Sequence, residues 1–259
     1  MNIYTTYLHN ILRVINSPLV DRIFPSIAVP VPRSMFFQPS EIEKSFINEI
    51  YINRLTMTPP IRLFDTYQAC KHVHVNRIKG AFVECGVWRG GHAILASRLF
   101  AHWNDPRSIY LYDTFAGMTQ PTIYDFEIST NKQAVVKPGT KWLMASMDEV
   151  KLNFAKHGDM FADLVFVQGD ITQTLSDSNS GPSEISVLRL DTDWYESTAA
   201  SLNALYPRLS ANGVLIIDDY GHWGGAKRAT DEYFNQPPIP LFTFVDYTCM
   251  SATKPSGTT

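Results

Sequence analysis

The sequence predicts a doubly wound α/β fold: a mostly parallel sheet covered by helices on both faces, ending in an antiparallel C-terminal hairpin and preceded by a helical N-terminal appendage. Three observations predict it. From Gly80 onward, short apolar runs alternate with helical stretches, the pattern of parallel βαβ units. The first run leads into a glycine-rich turn containing Gly86, Gly90 and Gly91, where a strand gives way to a helix. Carboxylates follow several of the runs, at the sheet edge where open α/β folds bind ligands.

The frame suits one large domain with an appended segment, because 259 residues with 45% hydrophobic content can bury a sizeable core. A formal charge of -3 supplies no global field for nucleic acid or an anionic membrane surface, so polyanionic partners are not expected. The three cysteines, Cys70, Cys85 and Cys249, are widely spaced and sit partly inside apolar runs. They read as reduced buried thiols in a cytoplasmic protein, not as disulfides or a zinc site. Neither an apolar run of membrane-spanning length nor an export signal is expected.

Taken in order, Tyr4, Leu8, Ile11, Leu12 and Ile15 recur at helical spacing and predict a short amphipathic helix, ended by Ser17-Pro18. Pro25, Pro30, Pro32 and Pro39 then interrupt regular structure. A second helix is predicted from Ser40 to about Asn53, opened by a Ser40/Glu43 capping box, and a third from Ile61 to about Val75. Residues 1–75 thus form a helical cap or interface segment: packing appendage, cover over a site, or surface for a symmetric homo-oligomer. Residues 76–259 form the core. Its strands are predicted at Ala81–Cys85, Ser108–Tyr112, Leu164–Val167, Ile185–Leu190 and Val214–Ile217, with a hairpin of Leu241–Asp246 and Cys249–Lys254 placing a reversed strand at the sheet edge. The segment from about 116 to 140, with Gly117, Pro121, Asp125, Glu127 and Pro138, matches neither period and is expected to be a mobile lid.

At the turn after the first strand, Glu84 occupies the place of the first glycine of a dinucleotide fingerprint. A carboxylate there repels a pyrophosphate but favours an ammonium or sulfonium group. Asp113 ends the second strand, where it can accept hydrogen bonds from ribose hydroxyls, and Gln168-Gly-Asp170 ends the third. Together they describe a site for a nucleoside with a cationic tail, which is S-adenosylmethionine. Asp191, Asp218 and Asp219 end the fourth and fifth strands and offer hard oxygen ligands for Mg²⁺, or Mn²⁺. Asp193 stands two residues beyond Asp191, either as a general base for a metal-activated hydroxyl or as the N-cap of a helix starting near Trp194. His222 is read as a local hydrogen-bond partner, with a second base or a substrate contact as the alternative, Trp88 and Trp194 as packing beside the pocket, and Lys227, Arg228 and Asp231 as a solvated helix face.

The runs Val83-Glu-Cys-Gly-Val-Trp-Arg-Gly-Gly91, Leu111-Tyr-Asp-Thr-Phe-Ala-Gly117, Leu190-Asp-Thr-Asp-Trp-Tyr-Glu-Ser-Thr198 and Ile217-Asp-Asp-Tyr-Gly-His-Trp-Gly-Gly225 resemble the macrocin O-methyltransferase (TylF) family, which includes antibiotic-sugar methyltransferases. The resemblance extends from about Arg54 to Lys254. It implies a class I methyltransferase Rossmann-like sheet, Mg²⁺ on Asp191, Asp218 and Asp219, and Asp193 as the base. It also implies that Thr56, Met57, Glu84, Gly86, Asp113, Ser146 and Asp170, with the Gly90 turn, surround S-adenosylmethionine. The implied acceptor is a small-molecule glycoside or polyol, on a natural product or glycan. Two other classes compete: a metal-dependent glycosyltransferase using Asp191-Thr-Asp193 as its Asp-x-Asp, against which Glu84 argues, and a non-catalytic binding module.

Overall fold

A computed structural model describes residues 37–137, 140, 143–159, 163–176 and 181–256. The helix expected over residues 4–15 and the prolines at 25, 30 and 32 lie outside the described residues. Two helices open the described chain, α1 (Glu41–Ile52) and α2 (Pro60–Val75). Ser40 caps α1 through the expected box, accepting from the Glu43 backbone N–H at 3.4 Å while the Glu43 carboxylate accepts from Ser40 N–H at 2.6 Å. Pro60 begins α2 at the position where a missing N–H costs nothing.

The core then alternates as the sequence predicts. Strand β1 (Ala81–Cys85) leads into helix α3 (Gly91–His102), and β2 (Ile109–Asp113) into the insertion, which carries a hairpin of β3 (Phe126–Glu127) and β4 (Lys132–Gln133). Next come α4 (Met147–His157), β5 (Leu164–Gln168), α5 (Ile171–Thr174), β6 (Ile185–Leu190), α6 (Tyr195–Leu205), β7 (Leu209–Ile217), α7 (Gly224–Tyr233), β8 (Thr243–Phe244) and β9 (Met250–Thr253). The seven-stranded sheet has the order β5-β2-β1-β6-β7-β9-β8. Its first five strands are parallel, and β9 runs antiparallel to both β7 and β8. The expected hairpin is present, but its reversed strand lies one place in from the edge. Pairing Leu215 and Ile217 of β7 with Ala252 and Met250 gives the buried residues of β9 two neighbours, and leaves the exposed Thr243-Phe244 pair as the short edge.

Alternation along the strands fills both faces. Phe82, Ile109, Leu111, Val187 and Ile216 face one apolar layer, while Ala81, Val83, Leu188, Leu190 and Leu215 face the other. Phe46, Ile50, Leu63 and Tyr67 of α1 and α2 belong to the first layer, so the N-terminal helices are part of the core wall. The chain leaves β1 toward β2 and β5, then returns to β6 and β7, which makes the β1/β6 boundary the switch point where the crevice opens. Cys70, Cys85 and Cys249 are free and buried. Among the described residues, no helix is long and apolar enough to cross a membrane.

Candidate active site

A cavity of about 730 Å³ opens at that boundary. On one side it is lined by Gly86, Trp88, Asp113, Gly169 and Asp170, on the other by Met118, Thr119, His222, Trp223 and Tyr247, with the aspartates between. Paired strands deliver them. Leu190 of β6 pairs with Ile217 of β7, so Asp191 and Asp218 emerge side by side, and Asp219 follows on the next residue. One ligand oxygen each from Asp191, Asp218 and Asp219 lies within 4.8 Å of the others.

Arg189 ties this cluster to Glu84 at the end of β1. It lies in the middle of a buried strand, 1% exposed, directly beside Glu84 in the β1/β6 register. Its guanidinium donates to Glu84 Oε1 at 2.9 Å, Asp191 Oδ2 at 2.9 Å and Asp218 Oδ1 at 2.7 Å. From α2, Arg62 donates to Asp218 Oδ2 at 2.5 Å and to Asp246 Oδ2 at 2.7 Å. Burial alone would raise Asp218, but these two guanidiniums hold it below the usual carboxylate range. Among the described residues, Asp193 and Asp219 form no such ion pair. Burial and then the Asp191 and Asp218 charges push Asp193 up to about 8, and burial with the Asp193 and Asp191 charges puts Asp219 well above its ordinary value. Burial likewise pushes Glu84 up to about 8 despite Arg189, and its second oxygen has no partner.

Each residue expected at the site has a definite place. Thr56, Met57, Glu84, Gly86, Asp113, Asp170, Asp191, Asp193, Asp218 and Asp219 all line the cavity. Ser146 and Gly90 are not among its lining residues. Ser146 caps α4, accepting from Glu149 N–H at 3.2 Å, while Met144 two residues earlier lines the wall. Gly90 is the left-handed N-cap of α3, packed closely enough on Val150 and Phe154 that a Cβ would lie 3.2 Å from either. Asp113 accepts backbone N–H bonds from Val87 at 2.7 Å, Trp88 at 3.1 Å and Phe115 at 2.8 Å, so it shapes the glycine turn as well as the cavity. Asp170 caps α5 through Thr172 N–H at 2.9 Å. Asp193 is no helix cap: the N-cap of α6 is Trp194, and the Tyr195 N–H goes to Asp125 at 2.7 Å. Trp88 lines the cavity, whereas Trp194 is buried against Ala134, Val136 and Trp223. His222 sets its ring edge-on to Trp223 and Tyr247, and its carbonyl accepts from Ile128 N–H. Lys227–Asp231 and Arg228–Glu232 are exposed i,i+4 pairs, as a solvated helix face requires.

Sequence reasoning missed Arg62, Arg189, His92 and Asp246. An arginine inside the apolar run Ile185–Leu190 was the available signal for Arg189, since an interior charge needs buried partners. Nothing local marks Arg62. His92, which burial keeps neutral, bridges Thr58 Oγ1 at 2.9 Å and Thr66 Oγ1 at 2.7 Å and thereby ties the Thr56–Thr58 segment to the glycine turn. Leu55 reinforces that tie by accepting the Gly91 N–H at 3.0 Å.

A family model described as macrocin O-methyltransferase (TylF) matches residues 51–252. The chain belongs to this family. Demethyldecarbamoylnovobiocin O-methyltransferase of Streptomyces niveus is 33% identical over 183 residues, covering 70% of this chain and 68% of that protein. A tetracenomycin-C glycoside enzyme of Streptomyces olivaceus, 8-demethyl-8-(2,3-dimethoxy-alpha-L-rhamnosyl)-tetracenomycin-C 4'-O-methyltransferase, is 33% identical over 162 residues, 62% of this chain and 60% of that one. Among solved structures, the O-methyltransferase NovP superposes with a TM-score of 0.71 at 26% identity, covering 96% of this chain and 99% of its own. The TylF-family chain is an O-methyltransferase. That membership goes against the glycosyltransferase reading of Asp191-Thr-Asp193 and against a non-catalytic module.

Proposed function

We propose that this enzyme methylates a hydroxyl of a sugar or related polyol carried on a natural product or glycan, with Asp191, Asp218 and Asp219 holding Mg²⁺ (or Mn²⁺) and Asp193 taking the proton. The observation that carries the reading is the convergence of those three carboxylates within 4.8 Å on the wall of the cavity that also holds Glu84 and Gly86. Carboxylates crowded this closely favour a cation among them. The donor set is all oxygen, which suits a hard dication with room for water or substrate oxygens. Bound S-adenosylmethionine supplies an electrophilic methyl group on a sulfonium sulfur, and a bound dication supplies Lewis acidity that lowers the pKa of a neighbouring hydroxyl.

The chain's own residues do the remainder. Glu84 would hold the cationic tail of the cofactor, and Thr56, Met57, Gly86, Asp113 and Asp170, which line the same cavity, would hold the nucleoside. Arg189 and Arg62 fix Asp218 so that it meets the other two carboxylates without rearranging. Asp193 would accept the proton of the hydroxyl to be methylated at a carboxylate oxygen. Met118, Thr119, His222, Trp223 and Tyr247 form the wall left for the acceptor. A relative named for a rhamnosyl-bearing natural product supports a sugar hydroxyl as the target.

Calorimetry with S-adenosylhomocysteine and with UDP, each with and without Mg²⁺, is expected to give binding of the former alone. Preferential UDP binding contradicts the cofactor assignment. With a panel of demethylated glycosides as acceptors and S-adenosylhomocysteine release as the readout, Asp193→Asn should lose at least about a hundredfold in turnover, the usual worth of a general base. Its S-adenosylhomocysteine affinity should stay near that of the unaltered enzyme. Turnover at the unaltered rate removes Asp193 from the chemistry.

A further inference from the structure

Asp125, in the middle of the 116–140 insertion, is 0% exposed, and nothing in the reaction above uses it. Its two oxygens face different parts of the chain. Oδ2 accepts from the backbone N–H and hydroxyl of Thr122 at 2.6 and 3.0 Å, closing a turn within the insertion. Oδ1 accepts the N–H of Tyr195, the first residue of α6, at 2.7 Å, and the formal N-cap Trp194 offers no side-chain bond of its own. A helix start that follows the Asp193 loop is therefore capped by a residue far away in sequence.

The socket is built to receive it. Gly224 and Gly225 open α7, and a Cβ on Gly225 would lie 1.8 Å from Asp125 Oδ1, while one on Gly224 would lie 2.5 Å from the Phe126 ring. The insertion is bonded to both segments that carry the aspartates. Thr119 O accepts the Trp194 indole N–H at 3.1 Å on the Asp193 side. On the Asp219 side, Ile128 N–H donates to His222 O at 2.9 Å, and Glu127 pairs with Trp223 as an isolated antiparallel bridge. Ala134, Val136 and Met118 complete the seal against Trp194 and Trp223. Between these attachments, Asp193 is held at φ +57°, a backbone state that an aspartate keeps only when its surroundings enforce it.

We propose that Asp125 is a positioning residue: by capping α6 from within the insertion, it joins the Met118–Thr119 wall of the cavity and the Asp193 loop into one cooperative unit, so that docking the acceptor wall and setting the proton-accepting carboxylate are the same event. This rests on the assignment of Asp193 as the base. The wall cannot lift without uncapping the helix that follows Asp193, and the loop cannot relax without releasing the wall.

Hydrogen–deuterium exchange on the full chain tests the coupling without an acceptor. Asp125→Ala should raise exchange at least about tenfold both in residues 117–136 and in residues 193–198, the loss expected when a helix cap is removed. Asp125→Asn, which retains one acceptor oxygen for Tyr195 N–H, should restore part of the protection in both segments together, and serves as the test if the alanine variant does not fold. S-adenosylhomocysteine affinity by calorimetry should stay within about twofold, because Glu84 and Gly86 lie on other elements. Faster exchange in 117–136 with 193–198 unchanged overturns the proposal. Exchange raised throughout the sheet with loss of cofactor-product binding also overturns it, since Asp125 would then support the fold at large. Asp193→Asn should leave both exchange rates unaltered while removing turnover, so a failure of the base assignment and a failure of the coupling read out separately.

Discussion

Gly86 sits where two strands end almost in contact. Its φ is +82°, and a Cβ would lie 1.9 Å from the Asp191 carbonyl oxygen, so the position tolerates no side chain on both steric and dihedral grounds. That closeness places the glycine turn within reach of the clustered aspartates. Gly86→Ala should cost about 3 kcal/mol from the left-handed backbone and the forced separation. A thermal melt should fall by about 10 °C. S-adenosylhomocysteine binding should be lost with it, and an unchanged melt with unchanged binding contradicts this geometry. Arg189 makes the complementary point about charge: a guanidinium shared by Glu84, Asp191 and Asp218 lets one strand neutralise carboxylates from three.

At the scale of elements, α1 shows how a cap can carry more than its helix. Glu43 closes the capping box, yet it also accepts from Lys71 Nζ at 3.0 Å on α2 and from Trp103 Nε1 at 2.7 Å after α3, and is 3% exposed. Burial by itself would raise its pKa, but the hydrogen bonds from Ser40, Lys71 and Trp103 outweigh it and bring it to about 2. A folded pKa below the unfolded one means that the ionised carboxylate stabilises the fold fully above about 4.5, and that this contribution is lost as pH falls toward 2. Glu43→Gln should therefore destabilise the chain by about 2 kcal/mol at pH 7, with the gap from the unaltered protein shrinking below about pH 4.5 in urea titrations. A gap independent of pH contradicts the paired-carboxylate account. The capping box was legible because its signal is local. The ties to Lys71 and Trp103 were not, because they depend on how three helices stack.

For the molecule as a whole, the sheet's carboxyl edge gathers carboxylates that, among the described residues, two buried arginines bind. Occupied Mg²⁺ and cofactor sites should relieve the repulsion among them. A ligand present at a hundred times its Kd adds about 2.7 kcal/mol, which for a chain of this size raises the melting temperature by roughly 5–10 °C. Mg²⁺ should produce such a rise and EDTA should reverse it. A melt that responds to S-adenosylhomocysteine but not to Mg²⁺ refutes the metal assignment while leaving the methyltransferase intact. The insertion belongs to this scale as well. Expected from sequence as a lid without regular structure, it folds as the β3–β4 hairpin seated on Gly224-Gly225, a placement that no local pattern encodes.

The sequence by itself determined the strand and helix succession, the glycine turn after β1, and the carboxylates at the ends of β1, β2, β6 and β7. Those features follow from hydrophobic period and from the chemistry of residues adjacent in the chain, which a linear reading captures. It also determined that Asp191, Asp218 and Asp219 would share one edge, since parallel strands end together. Only the tertiary structure decided the reversed strand's place inside the edge, the sharing of Arg189 and Arg62 among the carboxylates, and the capping of α6 by Asp125 instead of Asp193. Each of these joins residues far apart in the chain. Their bonds exist because the packed layers bring them within 3 Å, and sequence spacing carries no record of that approach.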